Sequence, residues 1–328
     1  MTVPKETIDR LASIPNVSVS EGTLLSRHTR FGIGGPAAVF AEAVDEEAFI
    51  EALHMVESSG APYNVIGDGT NLIVSDEGFD GIVLRQAANL IYHEDAIVLA
   101  QAGAQLQTLV DYCIDHGLRG VETMTGIPGS VGGAVYGNAG AYGHSIDECV
   151  RRVQIVDTPK PRSLPASACG FRYRESVFKQ RKDWIILGVE LEMKRGHADE
   201  LLRTADEIFK IRLAKYPATM KCAGSIFKNL ILAELPESVR RQIPDRVVRE
   251  GKAPSAYFLE QVGAKGMRNG GIHVADYHAN LIYNAEDGTA QQLCELIGDL
   301  KCRVRKQFGL ELEEEVQYVG FPPPSPAG

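Results

Sequence analysis

At 328 residues, 44% of them hydrophobic, the chain can bury the cores of about two domains on the usual scale of ~150 residues each. Its net charge of −9 excludes the basic footprint that a nucleic-acid backbone requires, and no uncharged apolar run approaches the ~20 residues of a membrane span, so a soluble cytoplasmic protein with neither partner is expected. Six scattered cysteines (Cys113, Cys149, Cys169, Cys222, Cys294 and Cys302) form no CxxC pair and share no histidine spacing, which excludes a zinc site and a disulfide framework and leaves reduced, packed thiols.

Met1 to Ser20 carries Lys5, Glu6, Asp9 and Arg10 and no apolar core of an export signal. Asp45 is placed to cap a helix with Phe49, Ala52, Leu53 and Val56 on its apolar face and Gly60 at its end. Tyr63 to Ile66 reads as a strand running into Gly67-Asp68-Gly69-Thr70-Asn71, and Gly81 to Arg85 as another. The pattern then repeats in kind: Ile97 to Ala102 as a strand, followed by a helix burying Leu106, Leu109, Val110, Cys113 and Ile114, ended by Gly117. Val150 to Asp157 and Trp184 to Met193 are the next strands, the second alternating apolar and small or acidic residues as one strand of a half-buried antiparallel sheet does.

After Gly196 the character changes, which sets a boundary near Arg195. A helix from about Asp199 to Leu213 precedes irregular sequence and strands near Gly271 to Val274 and Asn280 to Asn284. Thr289 and Gln292 form a capping box for a long helix with Leu293, Leu296, Ile297, Leu300, Val304 and Phe308 on one face, closed by Gly309. The Pro322-Pro323-Pro324 tail is expected to be disordered.

Two segments hold more glycine than a turn needs: Gly67-Asp68-Gly69-Thr70-Asn71, and Gly126-Ile127-Pro128-Gly129-Ser130-Val131-Gly132-Gly133 with Asn138 beyond it. Lacking side chains, such loops let a ligand approach the backbone, and successive N–H groups can cradle a pyrophosphate. Neither matches the GxGxxG dinucleotide fingerprint or the GxxxxGK[ST] phosphate loop, so a bare tight turn remains an open reading of each.

With Thr29-Arg30-Phe31-Gly32-Ile33-Gly34-Gly35-Pro36-Ala37 these segments resemble, in order and spacing, the flavin-binding segments of the UDP-N-acetylenolpyruvoylglucosamine reductases. The likeness extends through Phe171-Arg172-Tyr173-Arg174-Glu175-Ser176, Ala223-Gly224-Ser225-Ile226-Phe227-Lys228-Asn229 and Leu312-Glu313-Glu314-Glu315-Val316, nearly the whole chain. It implies an α+β protein with the FAD-binding fold of the vanillyl-alcohol-oxidase type. Two α+β subdomains, 1–86 and 87–195, would hold FAD non-covalently; a C-terminal α+β domain, 196–312, would bind substrate; 313–322 would rejoin the first subdomain, leaving 323–328 as the tail. Gly67, Asp68, Gly69, Thr70, Asn71, Gly126, Pro128, Gly129, Ser130, Gly132, Gly133 and Asn138 are the implied cofactor residues. His28 is read as a surface or packing residue rather than a covalent flavin link.

The implied reaction reduces UDP-N-acetylglucosamine enolpyruvate to UDP-N-acetylmuramate, a peptidoglycan precursor. NADPH gives hydride to flavin N5, and the reduced flavin gives it to C3 of the enol ether. Negative charge then collects at C2 and the carboxylate and needs a preorganised cation, followed by a proton. By motif match Arg174 supplies the cation, Ser225 the proton, and Glu315 sits by the substrate carboxylate. Lys215 and Asn229 would contact the UDP portion and His278 or Asn280 would line the same cleft, within a local excess of cations that also holds Lys210, Arg212, Lys221 and Lys228.

The chain departs from the family in having Leu230 where proline usually follows Phe-Lys-Asn, and in an insertion-like charged stretch from about Ala233 to Lys252. The short interval between Arg174 and Ser225 resembles the family's second type, without a tyrosine-bearing lid. Cys222 reads as a packed thiol. Ser225-Ile226-Phe227-Lys228 is literally an S-x-x-K motif, but the S-D-N and K-T-G elements of penicillin-binding enzymes are missing. An oxidase of the same fold acting on an alcohol or sugar, and a non-catalytic flavin-binding protein, remain as alternatives. A monomer is expected.

Overall fold

A computed structural model describes residues 3–157 and 160–322; the expected tail, 323–328, lies outside them. The chain packs into two compact units, one of Met1–Thr23, Ala37–Gly69 and Asp80–Ala218, the other of Leu24–Pro36, Thr70–Phe79 and Thr219–Gly328.

The first unit contains two cores. In one, the helices Lys5–Ser13 and Glu46–Ser59 cover a sheet with strand order Val17–Leu24, Pro36–Ala43, Phe79–Gln86 and Tyr63–Ile66, the last two parallel. The 46–59 helix starts where Asp45 Oδ1 accepts the Ala48 N–H at 2.8 Å, buries Phe49, Ala52, Leu53 and Val56, and ends at left-handed Gly60, as its sequence predicts. In the other core, five antiparallel strands run in the order Lys160–Pro165, Val150–Asp157, Ile185–Glu192, Ile97–Gln101 and Ile91–Glu94. The helix Leu106–Asp115 lays Leu109, Val110, Cys113 and Ile114 into it.

The helix Ala198–Lys215 contributes Leu201 and Ala205 to that same core. Residues 196–218 therefore pack with the N-terminal unit, although the change of sequence character near Arg195 suggested a boundary there.

In the second unit, the strands Arg268–Asn269, Ile272–Ala275 and His278–Asn284 form an antiparallel sheet beside the helix Ala290–Phe308. Both halves of the Thr289/Gln292 capping box are made, and Leu293, Leu296, Ile297, Leu300 and Val304 are buried. Asp76 strengthens the cap, accepting the N–H groups of Ala290 at 2.8 Å and Gln291 at 2.9 Å. Gln317–Val319 pairs in parallel with Leu72–Val74, an early strand that belongs to this same unit. Close packing explains the glycines of the 29–37 segment: a Cβ on Gly35 would lie 2.1 Å from the Asp76 carbonyl oxygen, and one on Gly34 2.8 Å from Val74 Cβ.

The stretch after Asn229 is a folded excursion. Leu230–Ile231 pairs with Lys252–Ala253 at its base, and Leu235, Val239 and Ile243 are buried. Among the described residues no helix is long and apolar enough to cross a membrane.

Candidate active site

The glycine loops meet within the first unit. The 63–66 strand delivers Gly67, where a Cβ would fall 2.3 Å from Ser130 Oγ. Asp68 is fixed at both oxygens, by Arg85 Nη2 at 3.0 Å and Gln105 Nε2 at 2.6 Å, while Arg85 also holds Glu42 at 2.8 Å. Its carboxylate thus clamps the loop to the 79–86 strand and to the start of the 106–115 helix. Arg85, Gln105 and Glu42 carried no signal in the sequence because their partner is fixed only by the fold.

The second loop depends on glycine differently. Gly126 and Gly129 have φ of 71° and 117°, the region that glycine adopts without strain. A Cβ on Gly132 would lie 2.8 Å from Ala102 Cβ. The expected nest of N–H donors is already engaged here: Val131 donates to the Ala104 carbonyl and Gly132 to the Ala102 carbonyl, both at 2.8 Å, and Gly133 to Ser130 Oγ at 3.2 Å. Gly132 therefore shapes the loop by lacking a side chain rather than by offering a donor, whereas a Cβ on Gly133 would make only an ordinary 3.4 Å contact with Ser130 Oγ. The two loops come together at Gly67 and Ser130, and Gly69, Gly126 and Gly129 hold positive φ; glycine-rich backbone of this kind suits the close approach of a dinucleotide, and the residues present fit FAD on that ground.

Asn138, expected among the cofactor residues, is 3% exposed and spends its side chain inside the protein. Its Nδ2 donates to the Arg172 carbonyl at 2.9 Å and its Oδ1 accepts the Asp147 N–H at 3.3 Å. Its own carbonyl accepts Arg174 Nη1 at 3.3 Å, and the Gly140 carbonyl accepts Arg174 Nη2 at 2.6 Å. Asn138 is thus a brace for Arg174. Arg174 lies at the tip of a tight turn closed by reciprocal backbone bonds between Arg172 and Glu175, and its φ is 55°.

In the second unit, residues 225–228 run between two other segments. On one side Ser225 bridges Leu281, and Ile226 N donates to the Asn280 carbonyl at 3.1 Å. On the other, Phe227 bridges Glu314, Lys228 N donates to the Glu313 carbonyl at 2.9 Å, and Glu315 N donates to the Ile226 carbonyl at 2.7 Å. This ladder makes Glu315 the backbone neighbour of the Ser225–Ile226 segment. Lys228, buried, pairs with Glu313. Asn71 belongs to this assembly, its Nδ2 donating to the Glu315 carbonyl at 2.8 Å.

Asn280, expected to line the substrate cleft, is 2% exposed and committed elsewhere. Its Oδ1 accepts the Phe227 N–H at 2.9 Å, and its Nδ2 reaches the Phe227 carbonyl at 2.8 Å and Ser255 Oγ at 2.7 Å. It holds the 225–228 segment by the backbone of Phe227. Asn229 accepts the Ser255 N–H at 3.3 Å, and His278 is half-buried at the start of its strand. Arg174 and Lys215 belong to the first unit, Ser225, Glu315, Asn229 and His278 to the second. Lys215 stands in the last turn of the 198–215 helix with its Nζ 5.0 Å from the Tyr216 ring centre.

Burial pushes the Cys113 thiol up to about 12 and those of Cys149 and Cys169 to about 11, so these three are packing groups. Cys222 is buried as well. Among the described residues no cluster of three or more His, Cys, Asp or Glu side chains is placed to hold a metal.

Comparison with known families agrees with this division of labour. The FAD binding domain family matches residues 37–160, so the cofactor is FAD, and the family described as UDP-N-acetylenolpyruvoylglucosamine reductase, C-terminal domain, matches residues 216–319. A UDP-N-acetylenolpyruvoylglucosamine reductase of Solibacter usitatus is 60% identical over 311 residues, 95% of this chain and 100% of its own length. One from Anoxybacillus flavithermus is 33% identical over 92% of this chain and 95% of its own length. The crystal structure of the Thermus caldophilus enzyme superposes with a TM-score of 0.72 at 28% identity, covering 92% of this chain and 99% of that one.

Proposed function

The chain belongs to the UDP-N-acetylenolpyruvoylglucosamine reductase family, and from that premise we propose that it reduces UDP-N-acetylglucosamine enolpyruvate to UDP-N-acetylmuramate for peptidoglycan synthesis, with NADPH as the hydride donor. The chemistry that FAD supplies when bound is hydride exchange at its isoalloxazine ring. The observation that carries the reading is the ladder joining residues 225–228 to 313–315, which makes one piece of backbone responsible for both Ser225 and Glu315.

Ser225 Oγ gives the proton to C2 of the enol ether. A hydroxyl is a weak acid, so its competence depends on a fixed position beside a strongly basic carbon. Glu315 acts at the substrate carboxylate. Arg174 balances the negative charge that collects there, and its value as a fixed cation comes from being held before substrate arrives. Lys215, Asn229 and His278 meet the UDP portion, whereas Asn280 supports the strand that carries Ser225. In functional terms 1–86, rejoined by 313–322, and 87–195 serve the cofactor, and 196–312 serves the substrate. The setting we infer is a cytoplasmic monomer with neither nucleic acid nor membrane as partner; the net charge of −9 supports the first of those exclusions.

An anaerobic two-step assay tests the proposal. The purified protein should show a flavin spectrum that NADPH bleaches and UDP-N-acetylglucosamine enolpyruvate restores. Restoration by oxygen alone would point instead to an oxidase. The Ser225→Ala variant should still be bleached by NADPH while its recovery with substrate slows by about 10²-fold or more, the scale of a lost general acid. Near-normal recovery would remove Ser225 from the chemistry.

A further inference from the structure

Arg174 occupies a conformation that its residue type resists. The turn Arg172–Glu175 is closed by an Arg172 N–H to Glu175 carbonyl bond of 3.1 Å and its reciprocal of 3.0 Å, so Tyr173 and Arg174 alone form the tip. Of the two, Arg174 has the positive φ, at 55°, a place that glycine or asparagine usually takes. A left-handed arginine persists only where its surroundings over-determine it.

The sequence Ser176-Val177-Phe178-Lys179 supplies the surroundings. Ser176, buried, donates from Oγ to the Tyr136 carbonyl at 2.6 Å; Val177 N donates to the Cys169 carbonyl at 2.8 Å; and the Phe178 ring is fully buried. Lys179 is therefore anchored at its backbone, with only 14% of its side chain exposed. Its ammonium turns back to the turn tip, donating to the Arg174 carbonyl at 2.5 Å and reaching Glu175 Oε1 at 3.3 Å. The guanidinium end of Arg174 is held by the Asn138 and Gly140 carbonyls. One residue is thus gripped at its backbone by a charged donor and at its head by two carbonyls.

We propose that Lys179 is a positioning residue for Arg174, holding its carbonyl so that residue 174 stays left-handed and its guanidinium stays aimed. The assignment rests on the reductase reading above. A charge-assisted bond is about twice as strong as a neutral one, which suits a lysine to opposing backbone strain. Lys179 touches neither substrate nor cofactor in this scheme; it acts through Arg174.

The FAD-loaded Lys179→Met and Lys179→Arg variants test this by separating the half-reactions. In Lys179→Met, recovery of flavin colour with UDP-N-acetylglucosamine enolpyruvate should slow by about 30- to 100-fold, the scale of an ångström-sized misplacement, while bleaching by NADPH stays within about twofold of wild type. Lys179→Arg, which keeps a cationic donor, should regain most of the rate. Unchanged recovery in Lys179→Met would overturn the proposal. So would equal slowing of both half-reactions with loss of flavin, which marks a merely structural lysine.

A crystal structure of Lys179→Met gives an answer independent of turnover. Residue 174 should leave the left-handed region and its guanidinium should leave the Asn138 and Gly140 carbonyls; an unmoved Arg174 defeats the idea. If wild type itself is not reoxidised by substrate, the reductase reading fails, and that crystal structure still decides the role of Lys179.

Discussion

Asn280→Ala separates a structural from a ligand-binding role for an asparagine whose sequence context suggested the second. The substitution deletes three hydrogen bonds: Phe227 N–H to Oδ1, and Nδ2 to the Phe227 carbonyl and to Ser255 Oγ. Each is worth ~1 kcal/mol net, and a buried Phe227 N–H left without an acceptor adds ~1–3 kcal/mol; with some relaxation the loss should be about 3 kcal/mol. With a urea slope of ~2–3 kcal/mol per molar, the unfolding midpoint should fall by about 1–1.5 M.

Because Phe227 is two residues from Ser225, the variant should also lose about tenfold in the substrate half-reaction through misplacement, with the substrate KM within about threefold of wild type. Asn280→Asp keeps the shape but faces the Phe227 carbonyl with another acceptor, and should be destabilised similarly. An Asn280→Ala protein with an unmoved midpoint and a KM raised tenfold or more would refute this reasoning and return Asn280 to the substrate cleft.

Other outcomes follow from the loops and the thiols. Gly132→Ala places a methyl 2.8 Å from Ala102 Cβ and 3.1 Å from its carbonyl oxygen. Neither can swing away, so about 1–3 kcal/mol of stability and much of the bound flavin should be lost, read from the denaturation midpoint and the flavin absorbance per protein; full flavin content would show that the loop yields. Asp76→Ala removes two acceptors at the start of the 290–308 helix and should cost about 1–2 kcal/mol, whereas an unchanged midpoint would show that the Thr289/Gln292 box suffices. Raised thiol pKa values deplete the reactive thiolate: at pH 8 a group at about 11 is ionised about once in a thousand, so native Cys149 and Cys169 should react with iodoacetamide on the order of 100-fold more slowly than free cysteine, and Cys113 more slowly still. Rapid labelling of any of the three would contradict their burial.

The helices that were legible in the sequence declare themselves locally. Asp45 and Gly60 bracket one, the Thr289/Gln292 pair and Gly309 another, and each buries the residues its period of 3.6 selects. The strands Val17–Leu24 and Pro36–Ala43 went unread because neither declares itself: the first is mostly exposed and polar, the second rich in alanine. The helix Lys5–Ser13 carries no side-chain cap and buries only Thr7, Ile8 and Leu11, too short an apolar stripe to stand out among its charges.

At the site, residue types in motifs were readable but their duties were not. Asn138 and Asn280, read as ligand contacts, are buried and hold backbone at sequence separations of 34 and 53, while Asn71, exposed, gives its Nδ2 to the Glu315 carbonyl 244 positions away. Local spacing carries no trace of such partners. Lys179 was equally silent, because nothing in Tyr173-Arg174-Glu175 announces that the arginine would be left-handed.

The threading of early segments into the later unit has a consequence for synthesis. Strand Leu72–Val74 emerges from the ribosome long before Gln317–Val319, its parallel partner. With Asn71 and its acceptor on Glu315 separated by 244 positions, and elongation at ~5–20 residues per second, the wait is ~10–50 s. Through that interval a nascent strand edge stands open to pairing with other chains. A gene fragment covering only 216–319, the stretch by which the reductase C-terminal family is matched, would lack Leu72–Val74 and the cap of Asp76. The stretch that the family shares is therefore shorter than what the polypeptide must assemble to make this unit.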